Sequence, residues 1–145
     1  MPEDNKKKPA RTSLLIWDAE GEPPVGEWTP VLWREFVAHA QPDAVSIPAL
    51  IETNADLLKK RYLAWVYELG ETSIQGKRLV EHLQLRPGFS YWWMTLFAEK
   101  CNYSKSKQID DAIRLMALDE WATNKSISHV VLSTGNQQLA ECIRM

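Results

Sequence analysis

His129-Val-Val-Leu-Ser133 is a compact run of β-branched and apolar residues, which is typical of a strand. Thr134-Gly-Asn136 follows it as a turn, and residues 137–145 begin a helix, so the three pieces form a strand–helix unit. A second strand, short and buried, is predicted at Ser13-Leu-Leu-Ile-Trp17. Two such strands with helices between them indicate the opening of a parallel α/β sheet.

Helices account for most of the chain between these strands. The clearest one runs over residues 55–69, where apolar residues recur every three or four positions, and Gly70 supplies a stop. Shorter or wider apolar stripes predict further helices over residues 76–83 and 105–123. Residues 28–40 are ambiguous between helix and strand, and we favour a helix from about Val31.

An aromatic segment, Phe89-Ser-Tyr-Trp-Trp-Met-Thr-Leu-Phe-Ala-Glu-Lys100, has two interpretations. Drawn as a helix it is apolar nearly all round, so Trp92 and Trp93 are predicted core residues. Alternatively the two tryptophans line a cleft and present Glu99 and Lys100 at its mouth, as in sites that set a few polar groups against aromatic walls. The sequence leaves both interpretations open.

Glu99 is the candidate catalytic carboxylate. It shares a predicted helix face with Trp92. The helix dipole disfavours a carboxylate near the C-terminal end of a helix, so a partner for Glu99 is expected. That partner is either a base such as Lys105 or Arg114, or a substrate whose sugar hydroxyls the carboxylate binds or deprotonates.

Further candidate binding residues follow the two strands. Ligands of open α/β sheets collect beyond the carboxyl ends of the strands, which points to Asp18 after the first strand and to Thr134, Gly135 and Asn136 after the second. Backbone amides at this helix start could receive a phosphate, although an ordinary turn and helix cap explain the same residues. The turn matches neither a Walker loop nor a GxGxxG fingerprint, so no cofactor is predicted.

Composition excludes several classes of function. The chain has 145 residues, 45% of them hydrophobic and 25% charged, which suits one globular domain. A net charge of −2 offers no general attraction to nucleic acid. Two cysteines without CxxC or histidine spacing predict neither a disulfide framework nor a metal site. No segment reads as a secretory signal or a membrane span, and we expect a cytoplasmic protein.

The number of predicted strands is small for a doubly wound sheet. Residues 1–12 are expected to form a disordered tail, and residues 13–145 an incomplete α/β domain that stops as its next helix begins. We therefore expect the N-terminal piece of a larger protein, with an exposed sheet edge and a missing C-terminal half or partner domain.

More than half of the chain resembles the N-terminal part of a family of bacterial surface carbohydrate biosynthesis proteins, which build O-antigen or capsule-like polymers. The Phe-Ser-Tyr-Trp-Trp string followed by Glu-Lys is the specific part of this resemblance. The helical pieces around it also match: residues 62–70, 76–83 and 109–118.

The resemblance implies a glycosyltransferase with two Rossmann-like halves, that is, a GT-B-like fold of which this chain is one partial, helix-rich half. The nucleotide-sugar donor would bind mostly in the other half, and this half would contact the glycan acceptor, so the chain alone should be inactive. Trp92, Trp93, Lys100, Asp18, Gly135 and Asn136 are then the candidate substrate-binding residues. The alternative is a non-catalytic helical interaction module that docks a partner through its aromatic helix.

Overall fold

The computed structural model describes residues 12–38, 44–95, 97–98 and 106–145. The chain divides into two compact units, one formed by residues 1–50 and 118–145 and the other by residues 51–117. In chain order the strands are β1 (Thr12–Asp18), β2 (Thr29–Leu32), β3 (Val45–Ser46), β4 (Ser73–Ile74), β5 (Lys77–Arg78), β6 (Gln84–Arg86), β7 (Phe89–Ser90) and β8 (Ile127–Thr134). The helices are α1 (Ile47–Thr53), α2 (Ala55–Glu71), α3 (Leu79–His82), α4 (Lys107–Ala122) and α5 (Gln137–Arg144), with a 3-10 helix at Tyr91–Met94.

The first unit contains a four-stranded parallel sheet with the strand order β3-β2-β1-β8. Both predicted strands are confirmed, as β1 and β8, and they are neighbours in this sheet. Three consecutive residues of β1, Leu14, Leu15 and Ile16, are at most 3% exposed. Successive strand residues point to opposite faces, so β1 is covered on both faces, as the central strands of parallel α/β sheets are.

The helix predicted from Val31 is wrong, because Thr29–Leu32 forms β2, parallel to β1. Val31 and Trp33 are completely buried, and the Trp33 amide donates a hydrogen bond to the Trp17 carbonyl at 3.0 Å. Pro30 lies where β2 has only β1 as a neighbour, since the pairing with β3 begins at Val31. The cost of its missing N–H is smaller there than between two strands.

β8 forms an outer edge of this sheet and pairs only with β1 among the described residues. Val130 and Val131 point to opposite faces of the sheet, yet 44% and 37% of their surfaces are exposed. The expected exposed edge is therefore present in the part of the chain that the structure describes. α5 follows β8 and buries Leu139.

The second unit is built around α2, a helix of 17 residues. Its predicted apolar face is confirmed, because Leu58 and Val66 are each 3% exposed and the other members of that face are partly buried. Gly70 does not end the helix, which continues to Glu71 and is capped at Thr72. Two short hairpins, β4-β5 and β6-β7, follow, and the helix predicted over residues 76–83 shrinks to the single turn of α3.

The continuous helix drawn from Phe89 to Lys100 is also wrong. Phe89–Ser90 is strand β7, and the chain then makes one 3-10 turn from Tyr91 to Met94, with its C-cap at Thr95. The Ser90 hydroxyl caps this turn by accepting a hydrogen bond from the Trp92 amide at 3.2 Å. Pairing of β7 with β6 holds residues 89 and 90 in an extended conformation, and the backbone is extended again at Thr95, so the helix is limited to one 3-10 turn.

Helix α4 confirms the helix predicted over residues 105–123, with Ile109 and Ala117 buried. Within the described ranges no helix combines the length and the apolar character needed to cross a membrane.

Candidate functional site

Asp18 is the last residue of β1, at the carboxyl edge of the sheet. Its register partner on β8 is Thr134, and parallel register places the two side chains on the same face. The Thr134 hydroxyl donates a hydrogen bond to Oδ2 of Asp18 at 2.6 Å. The Asp18 side chain is only 2% exposed, so its carboxylate is held in place by protein groups rather than by solvent.

Arg34 supplies the positive charge that faces this carboxylate. Its Nε forms a short ion pair with Oδ1 of Asp18, and its Nη2 lies 3.4 Å from Oδ2. The arginine side chain is 55% exposed, in contrast to its partner. Asp18 therefore anchors a guanidinium at the sheet edge, where part of that group still faces solvent.

The turn after β8 completes this arrangement. The Thr134 hydroxyl accepts a hydrogen bond from the Asn136 amide at 3.0 Å, and the Asn136 side chain caps α5 by accepting from the Leu139 amide at 3.2 Å. Gly135 is exposed, and a Cβ added to it would meet no atom within 4 Å. The turn is consequently open toward solvent at its middle residue. We call Asp18, Arg34, Thr134, Gly135 and Asn136 the carboxyl-edge cluster.

Asp18 and the turn at Thr134–Asn136 were named as separate candidates because each follows a strand, and the structure brings them together although Asp18 and Thr134 are 116 residues apart in the chain. Arg34 was missed. Arg34 follows the strand β2 by two residues, so it also lies beyond a strand end. It could not be named as a candidate on that ground, because this segment was expected to be a helix. The ligand-binding role of these residues remains a prediction.

The paired tryptophans of the aromatic segment have different environments. Trp92 is 4% exposed, and its ring stacks with Phe97 at a centroid distance of 6.4 Å and an interplanar angle of 14°. Trp93 is 49% exposed. Trp92 is thus a core residue, as the first interpretation predicts, whereas Trp93 is not, and the cleft of the second interpretation stays a prediction.

Trp93 is one of several exposed apolar side chains in this part of the second unit. Tyr91 and Met94 of the same 3-10 turn are 47% and 56% exposed, and Leu85 on the adjoining hairpin is 65% exposed. Large apolar side chains are rarely exposed together without a partner or ligand. Glu99 and Lys100, the other candidates in this segment, lie outside the described residues.

Metal ligands do not gather in the part of the chain that the structure describes. No group of three or more histidine, cysteine, aspartate or glutamate side chains there is placed to hold a metal ion. Cys142 is a free, exposed cysteine, while Cys101 lies outside the described ranges.

No protein-family model, curated protein or solved structure matches this chain. Its function therefore has to be argued from the geometry of its own residues.

Proposed function

We propose that this chain is the N-terminal part of a glycosyltransferase-like protein of bacterial surface polysaccharide biosynthesis. The observation that carries the proposal is the buried Asp18 carboxylate, which fixes Arg34 at the carboxyl edge of a parallel sheet. Ligands of α/β enzymes bind at this edge of the sheet. The resemblance of the aromatic segment to surface carbohydrate biosynthesis proteins supports the choice of substrate class.

The residues of the carboxyl-edge cluster have distinct proposed roles. Arg34 binds an anionic group of the ligand, because its side chain is 55% exposed and its guanidinium donates hydrogen bonds in a planar fork. The Gly135 amide and the start of α5 add donors for the same group. Asp18 is a positioning residue, since it is too buried to meet the ligand directly.

A separate set of proposed contacts belongs to the aromatic segment of the second unit. The exposed ring of Trp93 offers a flat apolar face of the kind that ligand sites use as a wall. Glu99 is retained as the proposed catalytic carboxylate and Lys100 as a proposed substrate contact. In this arrangement the nucleotide-sugar donor binds mostly in a second half supplied by a longer protein, and the present chain contributes acceptor-side contacts.

The first test is the gene downstream of the codon for Met145. We expect an open reading frame that encodes a second α/β half. The corresponding longer protein should release nucleoside diphosphate from a nucleotide sugar when a glycan acceptor is present, whereas the 145-residue chain should not. A stop codon at this point, or an unrelated downstream domain, would contradict the proposal.

A substitution then tests the cluster within the longer protein. Arg34→Met should lower the rate of release at limiting substrate by about tenfold or more, because it removes a charge-assisted contact to the ligand. Arg144→Met is the matched control, since it removes an exposed arginine at the other end of α5. Equal activity of the two variants would exclude Arg34 from the site.

The second candidate function is a non-catalytic interaction module. The exposed apolar side chains of Leu85, Tyr91, Trp93 and Met94 favour it, because exposed apolar patches mark protein interfaces. Trp93→Ala distinguishes the two functions in the longer protein. Loss of glycan transfer with unchanged partner association supports the enzyme, and loss of partner association in a protein without transferase activity supports the module.

A further inference from the structure

A cavity of about 490 Å³ lies within the second unit. This volume falls in the range of pockets that bind small molecules. The start of α2 and the first half of α4 supply most of its lining, which consists of Ile51, Ala55, Asp56, Leu58, Lys59, Tyr62, Leu63, Ala98, Asp110 and Ile113. None of these residues belongs to the carboxyl-edge cluster.

The wall of this cavity is mainly apolar and is held in place. Leu58 is 3% exposed and anchors α2 in the core of the unit. The Tyr62 hydroxyl donates a hydrogen bond to the Phe97 carbonyl at 2.9 Å, and its ring lies 5.7 Å from that of Trp65. The Tyr62 hydroxyl is protonated and can donate at neutral pH even at its ordinary pKa, and burial raises that pKa further. An apolar group of a ligand would therefore meet a preformed wall.

Three charged side chains also line the cavity, and one of them has a counter-charge within the protein. Asp110 forms an ion pair with Nη2 of Arg114 at 2.9 Å. Asp56 and Lys59 are exposed, and neither side chain forms a hydrogen bond or an ion pair with any other residue of the described ranges. They lie three residues apart on α2, so one helix face presents both charges to the cavity.

We propose that this cavity binds a small zwitterion with an apolar side chain, that is, an apolar α-amino acid. Its ammonium group lies beside Asp56, its carboxylate beside Lys59, and its side chain among Leu58, Leu63 and Ile113. A purely cationic amphiphile would face the Lys59 charge, and a purely anionic one would face Asp56, so each fits less well.

The test is a titration of the 145-residue chain with L-phenylalanine, followed by NMR of ¹³C-labelled isoleucine methyl groups. Ile51 and Ile113 line the cavity, so their methyl signals should shift, while that of Ile16 in the first unit should not. N-acetylphenylalanine lacks the ammonium charge and phenylalaninamide lacks the carboxylate. Each should bind about fivefold more weakly than L-phenylalanine, the size expected for one exposed charge pair.

Two variants test which charged group of the ligand lies beside Asp56 and which lies beside Lys59. Asp56→Asn should remove the preference for L-phenylalanine over its N-acetyl derivative, and Lys59→Met should remove the preference over its amide. Glu52→Gln and Lys60→Met are matched controls, because both residues are exposed neighbours that do not line the cavity. Ala55→Phe fills the exposed mouth at the start of α2 and should abolish the methyl shifts.

Three results would overturn this inference. The first is the absence of any shift at Ile51 and Ile113 with L-phenylalanine up to about 10 mM, a concentration that reveals even millimolar affinity. The second is equal binding of the three compounds. The third is a loss of the preference for L-phenylalanine in the control variants that is as large as the loss in Asp56→Asn. The Arg34→Met variant should leave this binding unchanged, so the inference can fail or hold independently of the proposed transferase function.

Discussion

Asp18 and Arg34 form an ion pair whose members differ in burial, since 2% of the aspartate side chain and 55% of the arginine side chain are exposed. Removing the arginine leaves a buried carboxylate without its counter-charge, and this is costly. Removing the carboxylate leaves an arginine that water can solvate, so that change should cost less. The asymmetry makes the pair suitable for a double-mutant cycle.

We expect Arg34→Met to lower the free energy of unfolding by about 2 kcal/mol and Asp18→Asn by about 1 kcal/mol, with the double variant less destabilised than the sum. The reason is that the neutral amide of Asp18→Asn no longer needs a counter-charge. Urea denaturation of the wild type and the three variants measures the coupling. Arg144→Met should change stability by less than about 0.5 kcal/mol, and strictly additive losses at positions 18 and 34 would contradict the proposed anchoring.

Glu81 has a lowered pKa because Arg78 hydrogen-bonds to its carboxylate through the guanidinium, at 3.1 Å, and through the backbone amide, at 2.8 Å. The group binds a proton less readily when folded than when unfolded. Its stabilising contribution is therefore present above the unfolded pKa and is lost as the pH falls through the folded pKa.

Arg78→Met should raise the pKa of Glu81 toward its ordinary value, because it removes the guanidinium bond, which is the larger of the two causes. An NMR titration of the side-chain carboxyl carbon of Glu81 measures this change. Lys77→Met is the matched control and should shift this pKa much less, since Lys77 acts on Glu81 only through its charge. An unchanged pKa in Arg78→Met would contradict the assignment.

At the scale of elements, the second unit depends on the close approach of α2 to the 3-10 turn. Gly70 of α2 faces Trp92, and a Cβ added to Gly70 would lie 2.6 Å from the indole Nε1 and 3.0 Å from Cγ1 of Val80. This glycine is therefore a packing residue inside the helix. Its small size is the reason that the helix runs through a position where a stop was predicted.

Gly70→Ala should destabilise the protein by about 1 kcal/mol or more. The alanine gains up to roughly 1 kcal/mol of helix propensity, but overpacking against a buried indole costs about 1 to 3 kcal/mol. Urea denaturation followed by circular dichroism gives the difference. Gly135→Ala should be close to neutral, because its Cβ meets open space, and a stabilised Gly70→Ala variant would show that Trp92 moves aside easily.

At the scale of the whole molecule, both units expose large apolar side chains. Val130 and Val131 lie on the outer edge strand of the first unit, and Tyr91, Trp93 and Met94 lie in the 3-10 turn of the second. Such surfaces are typical of proteins that lack a partner or a covering domain. We expect the isolated chain to bind anilinonaphthalene sulfonate strongly and to unfold over a broad temperature range.

Val130→Lys tests the contribution of the edge strand. It should lower dye fluorescence while changing the free energy of unfolding by less than about 1 kcal/mol, because the side chain is 44% exposed. His129→Lys on the same strand is the control and should leave the dye signal unchanged. A wild-type chain that unfolds cooperatively with little dye binding would contradict the expectation of an incomplete core.

The residues of β1, β8 and α2 determine these elements by local pattern alone. Strands and amphipathic helices can be recognised from the spacing of their apolar residues, and that spacing is a property of a short stretch of chain. Because ligands bind beyond the carboxyl ends of strands, the two predicted strands also named Asp18 and the turn at Thr134–Asn136 as candidates, and the structure places them side by side. The sequence thus determined the α/β class and one half of the candidate site.

Tertiary structure alone decided the remaining features. Residues 29–32 become a strand because β1 offers hydrogen bonds, and the aromatic segment is divided because β7 pairs with β6 and Trp92 packs on Gly70. Arg34 joins the site, and Asp56 and Lys59 reach the mouth of a cavity, only once distant elements have packed. Such choices depend on contacts between residues far apart in the chain, and those contacts outweigh the small local preferences of a short segment.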